Sequence, residues 1–128
     1  SSMGLPFSAC YLPKNATYGV NANIFPPKQD INWLIAYLNS SLVTFLVRGI
    51  LIRSNMVTSG YISQIPIPNF ENDVKNELNK LTIDVLENSL TTDEAISKID
   101  DLIFKYLNFS VETIYKIKDF AQNLNRKV

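Results

Sequence analysis

The chain contains no histidine, which removes the commonest general base and metal ligand from consideration. Its single cysteine, Cys10, excludes an internal disulfide and a thiolate zinc cluster, and fits a reducing, cytoplasmic setting. The four glycines fall in neither a G-x-G-x-x-G nor a P-loop spacing, so no phosphate-cradling turn is offered. Charge of either sign is not in excess: twelve Lys and Arg balance twelve Asp and Glu, which by itself argues against strong nucleic-acid binding. Nothing near the start reads as a signal peptide, so the Asn-x-Ser/Thr matches at Asn15, Asn39 and Asn108 are read as chance. The apolar run 31–52 is interrupted by Asn32, Asn39, Ser40, Ser41, Thr44 and Arg48, and reads as a core helix, not as a membrane span.

What is present suits one domain. A chain of 128 residues buries roughly two thirds of its unfolded surface, enough for a core without metals or disulfides. The charge is unevenly spread. Residues 1–70 carry Lys14, Lys28, Arg48 and Arg53 against Asp30 alone, a net +3, and residues 71–128 carry a net −3. A DNA-facing surface is therefore expected mainly in the first half.

Phe7 to Leu12 and Thr17 to Ile24 read as strands bounded by prolines, and Ile50 to Val57 has extended character. Between them, Leu34, Leu38, Leu42, Phe45 and Leu46 recur at helical spacing, predicting one long helix over 31–48 with Asp30 as N-cap and Gly49 closing it. Ile65-Pro66-Ile67-Pro68 must be an edge strand or an extended crossing, because two prolines remove two ladder donors. Beyond Asn69 three apolar stripes predict three helices: Val74, Leu78, Leu81 and Val85; then Ile96, Ile99, Ile103 and Tyr106; then Ile114, Ile117, Ala121 and Leu124. Thr91 with Glu94 has capping-box spacing, and Ser110 is a good N-cap. The expected architecture is α+β: a strand-and-loop portion over residues 1–70 with its helix, closed by a helical scaffold over 71–128, in a single domain.

Residue types that reach base edges or phosphates cluster in two places. Lys14, Asn15, Tyr18, Asn21 and Asn23 form the first group, and Arg53, Ser54, Asn55, Ser59, Tyr61 and Gln64 the second. Asn and Gln pair bidentately with adenine and Arg with guanine, while Ser, Lys and Tyr hold phosphates. The competing explanation is that Asn and Ser gather in loops to bond the local backbone. Trp33 and Tyr37, four apart on a helix, fit core packing better than a base-stacking platform. Asp100 and Asp101 are adjacent on a helix and point in different directions, which suits helix-terminal or solvated charges and not a catalytic pair.

Three steps of this sequence, Leu38-Asn39-Ser40, Ile65-Pro66-Ile67-Pro68 and Ile99-Asp100-Asp101-Leu102-Ile103-Phe104, carry a family resemblance. Over residues 30–120 the chain resembles the TaqI-like C-terminal specificity domain of bacterial N6-adenine DNA methyltransferases and type IIG restriction-modification enzymes. In that family a helix with a Leu-Asn-Ser step precedes an Ile/Leu-Pro-Ile-Pro strand, and the chain closes on an Ile-Asp-containing helix, a turn and a further helix. Where the family has Leu-Tyr-Gly, this chain has Tyr106-Leu107-Asn108, and Asn108 is able to take the left-handed position that Gly would occupy. The resemblance implies a DNA sequence-recognition part of an adenine methyltransferase, with or without a fused endonuclease. Its partners would be double-stranded DNA and the parent's catalytic domain. S-adenosylmethionine would bind that catalytic domain and not this chain, which lacks both the Gly-rich cofactor turn and the Asn/Asp-Pro-Pro-Tyr/Phe motif that holds a flipped adenine. Two other readings stay open: a fragment of the specificity subunit of a multisubunit restriction system, and a protein-interaction module with no DNA role.

Overall fold

The apolar spacing beyond Asn69 produces the helices it predicts. The computed structural model describes Ala9 and residues 27–51 and 65–126. A single 3₁₀ turn, Lys28–Asp30, leads into α1 (Ile31–Leu38), followed after a break by α2 (Ser41–Thr44), which widens into a π-helical stretch, Phe45–Leu51. A segment over 65–71, bent at Ile65, tightly turned where the Phe70 N–H bonds the Pro68 carbonyl at 2.9 Å and extended at Glu71, precedes α3 (Asn72–Leu86), α4 (Thr92–Leu107) and α5 (Val111–Arg126).

These elements correct the expected α+β class. Among the described residues every regular element is helical and there is no strand or sheet. Ile50 and Leu51, expected to begin a strand, continue the π-helical stretch. The remaining strand expectations, over 7–12, 17–24 and 52–57, fall outside the described residues apart from Ala9. The Ile-Pro-Ile-Pro segment joins no ladder among the described residues: the Tyr37 hydroxyl donates to the Pro66 carbonyl at 2.6 Å, and the Tyr106 hydroxyl to the Asn69 carbonyl at 2.8 Å. Two tyrosine hydroxyls thus fix a segment whose prolines cannot donate to a sheet.

The single helix expected over 31–48 is broken at Asn39-Ser40, and the axes on either side differ by 69°. Nor does Asp30 cap α1 with its side chain. The 3₁₀ turn has already begun the helical path, and the Asp30 carboxylate accepts the Trp33 indole N–H at 2.9 Å instead. Gly49 does not close the helix either. It lies inside the π-helical stretch, where a Cβ would stand 3.3 Å from Cζ of Phe120, so it permits close approach of α5.

α4 is central, packing against α1, α2 and α3. α1 lies along α3, and α2 with the π-helical stretch lies along α5. Leu78, Ile103 and Val43 are fully buried at the centre. Phe70 brings its ring edgewise to Trp33 at 6.0 Å and to Tyr37 at 5.5 Å, tying the 65–71 segment to α1.

The turns between helices follow their residues. Thr91 and Glu94 form the reciprocal capping box, and the Ser110 hydroxyl accepts the Thr113 N–H at 3.2 Å. Asn108 is left-handed, with φ 56 and ψ 44, and Phe109 N–H reaches the Phe104 carbonyl while Asn108 N–H reaches that of Lys105. That is a Schellman ending with the accompanying Phe104–Phe109 contact. Asn88 closes α3 in the same way, at φ 62, which the sequence reading did not anticipate. Among the described residues no single helix is long and apolar enough to cross a membrane; 28–38 and 41–49 pass only when taken together across the 69° bend.

Thermal melts should separate these roles. Ile103→Ala opens a cavity at a fully buried position and should cost about 2–5 kcal/mol. Asn108→Val, forcing a β-branched residue into the left-handed region, should cost about 1–2 kcal/mol, whereas Asn108→Gly should cost nothing measurable.

Candidate functional site

At the break between α1 and α2 three consecutive residues each hold something different. Asn39 ends α1 with φ −90 and ψ 0, its N–H shared between the Ile35 and Ala36 carbonyls. Its side-chain amide faces Ala9: Oδ1 accepts the Ala9 N–H at 3.1 Å and Nδ2 donates to the Ala9 carbonyl at 2.9 Å, with a further bond to the Ile35 carbonyl at 2.8 Å. Ser40 turns extended and caps α2, its hydroxyl accepting the Val43 N–H at 3.3 Å. Ser41 opens α2 and meets a carboxylate from the far side of the core.

That carboxylate is Asp100 of α4, only 4% exposed. One oxygen accepts the Ser41 N–H at 2.8 Å and the other accepts the Ser41 hydroxyl at 2.6 Å. Asp100 is thus not the helix-terminal or solvated charge expected from the sequence, because its carboxylate is enclosed against Ser41. The signal was in the spacing: Asp100 lies four residues after Ile96 and three before Ile103, on the apolar face, while Asp101, one residue on, is exposed. The Asp101 side chain pairs with Lys118 at 3.7 Å on the surface, where screening leaves little net stabilisation.

Burial holds the Asp100 carboxyl above its ordinary value, against the lowering influence of the two Ser41 bonds and of Lys118, with Asp101 adding a smaller upward push. Burial likewise pushes the Tyr37 hydroxyl up to about 12, so it stays a donor to Pro66. The break therefore joins α1, α2, α4, the 65–71 segment and Ala9 through polar contacts.

The sequence-predicted contact residues are not among those brought together. Lys14, Asn15, Tyr18, Asn21, Asn23, Arg53, Ser54, Asn55, Ser59, Tyr61 and Gln64 all lie outside the described residues. Trp33 and Tyr37 are buried, as core residues. An open groove of about 380 Å³ runs between Phe45 and α5, lined also by Tyr115, Lys116 and Phe120. Among the described residues no group of His, Cys, Asp and Glu side chains is placed to hold a metal ion. No protein-family model matches the chain, and no curated protein or solved structure matches it significantly.

Substitutions at Asp100 should distinguish its hydrogen bonds from its charge. Asp100→Ala leaves the Ser41 N–H without its acceptor and should cost about 1–3 kcal/mol. Asp100→Asn retains an acceptor for the N–H and turns the second contact into an amide donating to the hydroxyl, so it should be close to neutral. The folded state raises this carboxyl, so its contribution is fully present below the unfolded pKa and is lost as pH rises through the folded one. Urea midpoints from acid to neutral pH should show wild type losing ground to Asp100→Asn as pH rises from about 4, the ordinary carboxylate value. A difference independent of pH would contradict the buried-charge account.

Proposed function

We propose that this chain is the DNA sequence-recognition region of a bacterial adenine-specific DNA methyltransferase of a restriction-modification system. The observation that carries the proposal is the meeting of all three steps of the family resemblance at one bend. Leu38-Asn39-Ser40 forms it, Asp100 of the Ile-Asp step clamps its next residue, and Pro66 of the Ile-Pro-Ile-Pro step is bonded by Tyr37 one turn earlier. Residues joined through space in this way have a reason to recur together in sequence.

In this reading the described helices are scaffold, and DNA is contacted by Lys14, Asn15, Tyr18, Asn21 and Asn23 together with Arg53, Ser54, Asn55, Ser59, Tyr61 and Gln64. The parent's catalytic domain, carrying S-adenosylmethionine, flips an adenine and methylates its N6 while this region sets register. A cytoplasmic location accompanies that role. A second reading, a protein-interaction module, draws support from Val111 and Tyr115, which are 84% and 69% exposed on α5.

Titration of the isolated chain with duplex DNA decides between them. Neutralising about two to four phosphates should give a log-log salt slope of roughly −2 to −4 and a Kd on the order of 10⁻⁴ to 10⁻⁶ M. Arg53→Ala combined with Asn55→Ala should lower sequence discrimination in the parent enzyme by about 1–3 kcal/mol per lost base contact, without a matching loss of stability. Calorimetry with S-adenosylmethionine should show no site in the isolated chain. Absence of DNA binding at low salt would favour the protein-interaction reading.

A further inference from the structure

One side of α5 faces the core through Ile117 and Ala121, and the opposite side carries Val111 and Tyr115, one turn apart and 84% and 69% exposed. Exposed apolar pairs of this kind mark contact surfaces. Tyr115 runs into the groove of about 380 Å³, where the rings of Phe45 and Phe120 meet edge-on at 5.5 Å, and Lys116 and Asp119 line the same groove. The Lys116 ammonium lies 3.4 Å from Glu112, and the Asn123 amide donates to the Asp119 carboxylate at 3.3 Å. Glu112, Lys116, Asp119 and Asn123 thus form a seam along α5 with spacings of four, three and four, which reads the same in both directions. Val111 and Tyr115 flank it on one side, Phe120 and Leu124 on the other.

The signs along this seam decide what fits it. A polyanion such as DNA would meet Glu112 and Asp119, and any partner of a single sign would set at least one seam charge against its like. A second copy laid antiparallel matches throughout: with the two-fold axis between Lys116 and Asp119, each Lys116 faces the other copy's Asp119, and each Glu112 faces a neutral amide at Asn123. A parallel copy would instead set Lys116 on Lys116 and Asp119 on Asp119. Twelve basic and twelve acidic residues leave no net charge to hold two copies apart.

We propose that the outer face of α5 is a self-association surface on which two copies of the chain pair antiparallel. The pairing goes beyond both functional readings above and depends on neither. At about 1.5 Å per residue the seam and its flanks extend over roughly 20 Å. One helix pair of that length falls short of the roughly 1,000 Å² that stable interfaces clear, so the dimer is transient and forms at high concentration.

Sedimentation velocity of the full chain from about 10 μM to about 1 mM should show the average mass rising from monomer toward dimer. Tyr115→Glu, which adds an acid beside Glu112 and Asp119, should raise the dissociation constant about tenfold or more, and Lys116→Glu should do the same. Combining Lys116→Glu with Asp119→Lys in one chain exchanges the signs across the axis and should restore association. All these side chains lie on the surface, so thermal melts should stay close to wild type, which separates lost pairing from lost fold. Leu86→Glu, at an apolar residue 58% exposed on α3, should leave association unchanged. A chain that stays monomeric throughout overturns the proposal and leaves this face to a different macromolecule. Association that survives Tyr115→Glu, that Leu86→Glu also removes, or that the exchanged pair fails to restore overturns it too.

Discussion

Bringing a carboxylate into a core is unfavourable unless its oxygens are satisfied, and Asp100 satisfies both on one residue, Ser41. The choice of partner matters because Ser41 is the first residue of a helix, where the backbone N–H groups have no intrahelical acceptor. Ser40 takes the Val43 N–H and Asp100 takes that of Ser41, so two of these groups are answered within a four-residue helix. The positive end of α2 also favours a negative group there. The rest of the packing follows from this joint. With the chain turned by 69°, α1 can lie along α3 while α2 and the π-helical stretch lie along α5, and α4 touches both layers.

The π-helical stretch is the second consequence of the turn. Such wide turns are rare in long runs because they leave the helix poorly packed along its own axis. Here the slack is taken up from outside: the Phe120 ring sits against Gly49 and meets Phe45 edge-on at 5.5 Å. A residue larger than Gly at 49 would push α5 outward, so the glycine serves packing between helices and not termination.

The C-terminal half was legible because each of its signals is local. A capping box, a Ser N-cap and an apolar stripe act within one helix, and Asn108 tolerates left-handed geometry through its own side chain. The first half was not legible, because its decisive contacts span long sequence distances. Asp100 and Ser41 are 59 residues apart, and Tyr37 and Pro66 are 29 apart. Read along the chain, Ser40-Ser41 is compatible with continuing a helix, and Ile50-Leu51 favours a strand by composition. The clamp from Asp100 overrode the first preference, and Ile50-Leu51 lies in the π-helical stretch. At the bend, neither the burial of Asp100 nor the hold of Asn39 on Ala9 was legible, because the partners lie far apart in sequence, and the expected contact residues lie outside the described residues.

Leu38-Asn39-Ser40, Ile65-Pro66-Ile67-Pro68 and Ile99-Asp100 engage their reactive groups internally, the Ser40 hydroxyl with the Val43 N–H and the Asp100 carboxylate with Ser41. Their content is geometric: an amide that grips a main chain, a proline carbonyl that accepts a tyrosine, and a buried carboxylate that fixes a bend. A recognition module needs such parts, since reading a base edge requires a contact group to be held to a fraction of an ångström by something rigid beneath it. The groups that touch a target differ from one target to another, whereas the joint that holds them does not have to.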